Sequence, residues 1–136
     1  MRGLDTNVMV RFLVKDDPEQ AKLATRLIRA QCTAETPCRI NRIVLCELEW
    51  VLESAYRYSG STVADVIEKM LRTVEFEIED RDAAWAALFG YRNEGVDFAD
   101  CLLGKTNRAA GCDATATFDP KAARTDDFVL LAKAMC

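Results

Sequence analysis

Histidine is absent from the 136 residues of this chain. Its absence excludes Ser-His-Asp and Cys-His nucleophilic sites, two-histidine ribonuclease chemistry and His-ligated zinc. Acid-base work is left to carboxylates, lysine, tyrosine or a metal-bound water. No apolar run approaches the ~18 residues that a membrane-spanning helix needs. The N-terminus places Asp5 and Arg11 where a secretory signal would hold an unbroken apolar core. A cytoplasmic protein with no membrane association is therefore expected. Neither a Gly-x-Gly-x-x-Gly turn nor a Lys-containing phosphate loop occurs. Without an export signal, Cys32, Cys38, Cys46, Cys101, Cys112 and Cys136 read as free thiols rather than a disulfide framework, and with Cys-x-x-Cys missing too they do not suit a zinc site.

What is present suits a single domain over residues 1–136, long enough to bury roughly two-thirds of its unfolded surface. Residues 2–5 read as a strand ending at Asp5, with a helix starting straight after it and reaching Val14. Asp17 and Pro18 open a second helix that runs to about Cys32. Residues 38–40 form a short strand, and Asn41 caps a helix from about Arg42 to Arg57. Gly60 closes that helix, Ser61 or Thr62 caps the next, and residues 76–78 alternate like a strand. Residues 81–93 are helical, Gly95 is a stop, and Asp97 caps a helix extending to about Ala110. Residues 112–118 are the best strand after the first, Asp119-Pro120 begins a helical turn, and residues 128–130 add an edge strand. This alternation predicts an α/β fold, a short parallel sheet flanked by helices on both faces.

In open α/β sheets, ligands bind beyond the carboxyl ends of the strands, so acids there carry weight. Asp5 and Asp119 each leave the end of an expected strand. Each could equally serve as a helix cap. Glu47 projects within about 60° of Val44 and Val51 on its helix, whereas Glu49 and Glu53 point to the solvated side, where Glu53 can pair with Arg57. Asp97 and Asp100 share the first turn of another helix, where both would also stabilise its positive end. Jointly the acids could converge, and like carboxylates a few ångströms apart cannot all stay ionised without a counter-charge. With no histidine available, hard divalent cations are the natural partners. All-oxygen ligation points to Mg²⁺ or Mn²⁺ and to phosphodiester hydrolysis by a metal-activated water.

Four segments carry a family resemblance: Leu4-Asp5-Thr6-Asn7-Val8, Cys46 to Leu52 (Cys-Glu-Leu-Glu-Trp-Val-Leu), Asp97 to Leu103 (Asp-Phe-Ala-Asp-Cys-Leu-Leu) and Thr115 to Asp119 (Thr-Ala-Thr-Phe-Asp). In this order and spacing the chain resembles a PIN domain, particularly the VapC type of bacterial toxin. The resemblance implies a three-layer Rossmann-like fold and Mg²⁺- or Mn²⁺-dependent endoribonuclease activity. A homodimer and a cognate VapB-type antitoxin are implied as partners. It makes Asp5, Glu47, Asp100 and Asp119 the acidic quartet, with Asp5 and Asp100 as direct metal ligands and Asp97 as an auxiliary acid. Thr6, Asn7 and Thr117 match polar positions beside those acids that would orient carboxylates or water.

A net charge of −4 argues against RNA binding at first sight, since phosphate contacts come from Lys and Arg. Four site carboxylates would match that charge in number, and much further acid is concentrated between Glu75 and Asp82. Arg11, Arg92, Lys105, Arg108 and Arg124 are candidate contacts to the RNA backbone. Three rival readings remain open. One is a PIN nuclease of RNA processing or repair without an antitoxin, and another is a non-catalytic module that binds an ion or a partner. The third is a dehalogenase-type phosphohydrolase with Asp5 as nucleophile, weakened because Asn7 stands where a second Asp belongs.

Overall fold

Among the described residues there are six helices and short parallel strands, 58% helical and consistent with an α/β Rossmann-like fold. The computed structural model describes residues 1–132, so the expected free thiol of Cys136 lies outside the described residues. The chain divides into two compact units, Met1–Arg81 and the part from Asp82 onward.

In the first unit, β1 (Cys38–Ile40) and β2 (Phe76–Ile78) pair in parallel, Cys38 opposite Phe76 and Ile40 opposite Ile78. The strand expected at residues 2–5 is reduced to one parallel bridge between Gly3 and Arg39. Asp5 already serves as the N-cap of α1 (Thr6–Val14), leaving no residues to lengthen the ladder. Asp17 caps α2 (Pro18–Gln31) by accepting from Gln20 N, and Asn41 caps α3 (Arg42–Ser54) by accepting from Val44 N. The expected cap of α4 (Gly60–Arg72) is corrected: Ser59 accepts from Thr62 N, and Gly60 lies inside the helix rather than ending the previous one. That previous helix stops at Ser54, short of the expected Arg57, which adopts a left-handed backbone with φ 57°.

Leu45, Leu48 and Leu52 of α3 are fully buried, as are Val63 and Ile67 of α4. Burial of each such leucine contributes about 2 kcal/mol, several times the few tenths that an exposed ion pair on the same helix supplies. The apolar stripe therefore decides how α3 is rotated. Its buried positions are Val44, Leu45, Leu48, Glu49 and Leu52. At 100° per residue, Glu49 falls about 70° from the centre of that stripe and Glu47 about 130° away. Expectation is reversed as a result: Glu49 is buried and Glu47 exposed. Val44 and Val51 mark the margins of the stripe, not its middle. At the other end of the ladder, Arg42 pairs with Glu79 at 3.2 Å, and the Arg42 amide donates to the same carboxylate. That amide hydrogen bond, with the guanidinium beside it, holds the Glu79 carboxyl below its ordinary range against the opposing pull of burial.

Cys32 and Cys38 are joined in a disulfide, which corrects the reading of all six cysteines as free thiols. Cys32 is the C-cap of α2 and Cys38 opens β1, so the turn between them brings the two Cα atoms within 4.9 Å. Cys101 and Cys112 are free thiols, and Cys46 is not part of this disulfide. Closing so short a loop restricts the unfolded chain by about 2 kcal/mol. Replacing both Cys32 and Cys38 by serine is expected to lower unfolding stability by about that amount. Urea denaturation of variant and parent checks it, and equal midpoints would dismiss the bridge as a stabilising element.

The second unit holds α5 (Arg81–Asn93, whose first residue closes the first unit), α6 (Phe98–Ala109), β3 (Thr115–Thr117), a 3-10 turn at Ala122–Arg124 and β4 (Phe128–Leu130). The strands β3 and β4 pair in parallel, Thr115 opposite Phe128. Gly95, with φ 69°, makes the turn after α5. Gly104 lets α6 approach β4 so closely that an added Cβ would stand 2.7 Å from the Phe128 ring. Fastening the same contact, Asp127 is buried and receives Lys105 Nζ at 2.7 Å and Arg108 Nε at 3.1 Å. Burial pushes the Asp127 carboxyl up, but hydrogen bonds from Lys105 and Arg108 outweigh it and hold the group below its ordinary range. A depressed folded-state pKa gives stability that is present above the unfolded value and lost as pH falls through the folded one. Asp127→Asn is expected to cost about 2 kcal/mol at neutral pH. Denaturation at successive pH values should show that loss beginning to shrink below about pH 4, where the unfolded chain's carboxyl takes up a proton, and vanishing only once pH has passed below the depressed folded value.

Candidate functional site

The expected site residues fall into two groups, one in each unit. In the first, the N-cap position of α1 turns Asp5 toward its own helix, and Asp5 Oδ1 accepts from Val8 N at 2.9 Å. Asp5 is nevertheless exposed, with its second carboxylate oxygen outside that bond. Thr6, the first residue of α1, is buried, and its hydroxyl donates to Glu47 Oε1 at 3.2 Å. The bond ties α1 to α3 and sets Glu47, an exposed acid, beside the residue that follows Asp5. Asn7 is exposed and lines a groove with Asp5, Val8 and Arg11 of α1 and Gln20, Leu23, Ala24 and Leu27 of α2.

In the second unit, Asp97 occupies the N-cap position of α6 but makes no side-chain capping bond, contrary to the capping role expected from sequence. Its φ of −57° and ψ of 140° leave the carboxylate outside the helix's amide network. Asp100 is half-buried on the first turn of the same helix. Burial raises the Asp100 carboxyl above its ordinary range, and the charges of Asp97 and then Asp119 raise it further, with Lys121 opposing. Asp119 follows β3, where its amide donates to Thr117 Oγ1 at 3.0 Å and its Oδ1 accepts from Lys121 N at 2.9 Å. Thr117 thus shapes the turn that carries Asp119, and the charges of Asp97 and Asp119 both bear on Asp100. Sequence reasoning passes over Lys121, whose position two residues beyond Asp119 is the signal that could have found it.

The expected RNA-backbone cations are mostly engaged within the protein. Arg11 donates to Gln20 and Asp16, and also to the Tyr56 hydroxyl, which itself donates to Asp16. Lys105 and Arg108 hold Asp127, and Arg108 also donates to the Asp113 and Asp126 carbonyls. Arg92 is exposed on α5, and an Arg124 guanidinium nitrogen lies beside Gly95.

The family model described as PIN domain matches residues 4–128, and the chain belongs to the PIN domain family. No curated protein and no solved structure matches it. PIN domains are generally metal-dependent nucleases and typically use divalent metals. The donor set here suits such an ion in chemistry: every candidate ligand is a hard oxygen, and the crowding at Asp100 is of the kind a cation relieves. Among the described residues, no group of three or more Cys, Asp or Glu side chains is placed to hold a metal ion.

A raised folded-state pKa favours the protonated acid. Its stabilisation is present below the unfolded value and is lost as pH rises through the folded one. The metal-free protein is therefore expected to lose stability as pH rises from about 4 through the raised Asp100 value, and Asp100→Asn to remove that step and raise the neutral melting temperature. Thermal melts across pH in EDTA test this, and a variant melting below its parent at neutral pH would contradict it.

Proposed function

We propose that the chain is a metal-dependent endoribonuclease, the VapC-type toxin of a type II toxin-antitoxin system acting in the cytoplasm. The family match over residues 4–128 and the charge stress that Asp97 and Asp119 place on the half-buried Asp100 support this reading. In it, residues 1–136 form a single domain, and Asp5, Glu47, Asp100 and Asp119 hold Mg²⁺ or Mn²⁺ with Asp97 as auxiliary acid. When bound, the ion lowers the pKa of an attacking water and neutralises charge developing on the phosphate. Thr6 keeps the Glu47 carboxylate in place through its hydroxyl. The Thr117 hydroxyl does the same for the backbone that presents Asp119. The Asp5 capping bond to Val8 N holds that carboxylate at the start of α1.

Surface features are consistent with the partners of this reading. The α1–α2 groove has a volume of about 320 Å³, runs from Asp5 past the exposed Leu23, and has the apolar lining an antitoxin helix would seat on. Ile43 and Trp50, seven residues apart on α3, are 64% and 65% exposed and offer a face for a homodimer.

Labelled RNA incubated with the antitoxin-free protein and Mn²⁺ should be cleaved, and EDTA should abolish cleavage. Asp100→Asn and Glu47→Gln are each expected to reduce the rate at least about 100-fold while circular dichroism remains that of the parent. Absence of metal-dependent cleavage by the parent would overturn the nuclease reading, and full activity in either variant would remove that residue from the site.

A further inference from the structure

The expected backbone-binding cations are largely held by acids, yet another set is not. A groove of about 760 Å³ in the first unit is lined by Lys15, Lys22, Thr25, Arg26 and Arg29, together with Ala21 and Ala30. No acid lines it. Lys22, Arg26 and Arg29 are exposed on one face of α2, and among the described residues none is joined to a carboxylate.

Neighbouring acids are turned to other tasks. Asp16 pairs with Arg11 and receives the Tyr56 hydroxyl, and Asp17 caps α2. Lys15 is directed into the groove by its backbone. As the C-cap of α1 it adopts φ 61°, a left-handed conformation uncommon outside glycine. Its ammonium lies 5.5 Å from the centre of the Phe12 ring and within 3.4 Å of Thr25 Oγ1. Four positive charges thus share one surface of a chain whose net charge is −4.

We propose that the α2 groove of Lys15, Lys22, Arg26 and Arg29 binds the phosphate backbone of single-stranded RNA outside the acidic site. From Lys22 to Arg29 the α2 axis rises about 10.5 Å, enough to set its cations beside successive phosphates of one strand. Helix α2 separates this groove from the one that reaches Asp5, since Ala21, Lys22, Thr25 and Arg26 line the first and Gln20, Leu23, Ala24 and Leu27 the second. A strand held by phosphates on the basic side carries no sequence preference there, so the contact supplies affinity and register. The choice of RNA as the polyanion rests on the nuclease reading.

The test uses fluorescence anisotropy of the full chain with a labelled 12-nucleotide single-stranded RNA in EDTA, where binding is read without cleavage. The variant combines Lys22→Glu, Arg26→Glu and Arg29→Glu, and a second combines Lys22→Gln, Arg26→Gln and Arg29→Gln in case charge reversal disturbs folding. At about 50 mM salt the reversal variant is expected to bind at least about tenfold more weakly, with a dependence on log salt shallower by about 2, near 0.7 for each lost phosphate contact. The glutamine variant should shift both in the same direction by less. Parent-like affinity and salt dependence in a folded variant would overturn the proposal. Competition by polyglutamate as effective as that by RNA of equal charge would reassign the groove to an acidic protein segment and equally overturn it. Failure of Mn²⁺-dependent cleavage with groove-dependent binding intact would overturn the nuclease reading alone. Cleavage without groove-dependent binding would overturn this proposal alone.

Discussion

A carboxylate removed from water needs a positive charge or hydrogen-bond donors beside it, and the acids of this chain differ by how they obtain them. Asp127 has Lys105 and Arg108, Glu79 has the Arg42 amide and guanidinium, and Asp16 has Arg11 and Tyr56. In each case the compensated acid joins two elements: α6 to the segment entering β4, the end of β2 to the start of α3, or the end of α1 to the segment after α3. Asp100 is half-buried beside Asp97 and Asp119, with Lys121 as the opposing charge. The same physics that makes the first three structural leaves Asp100 under stress, the state in which a carboxylate gains most from a cation.

Short ladders place these groups. Three-residue strands carry little hydrogen-bonding energy of their own, so the helices packed around them set their positions. In the first unit, burial of the α3 stripe rotates Glu47 outward, and the Thr6 hydroxyl then meets it. In the second, the Gly104 approach and the Asp127 ion pairs fix α6 against β4, and the turn after β3 presents Asp119. Positive charge is divided in a similar way. Cations near acids are consumed in holding elements together, whereas those along the outer face of α2 are left for a ligand.

Much of the local structure was legible because it rests on short-range chemistry. Asp17 and Pro18 open α2, Asn41 caps α3, and Gly95 makes the turn after α5, each through interactions within a few residues. Helix α5 and strands β1, β2 and β4 lie at the expected residues. The rotation of α3 was not legible, because the centre of its stripe is set by which leucines meet α4, and Val44 and Val51 mark only the edges. Gly60 misled for a related reason: a glycine near a helix end suits a stop, but Ser59 before it supplies the cap that starts α4. The free-thiol reading failed at Cys32 and Cys38 because an expected compartment says nothing about two cysteines brought together by a tight turn.

The residue order alone carried the alternation of helices and short strands and the family motifs in their order, and the lack of histidine removed imidazole from the possible chemistry. Tertiary structure decided which acids are compensated and which crowd one another. It also decided which of the two glutamates on α3 faces outward, and which cations remain available to a polyanion. Residue type sets the charge a side chain can carry, but the energy of that charge depends on burial and on neighbours far away in sequence, which exist only once the chain has folded.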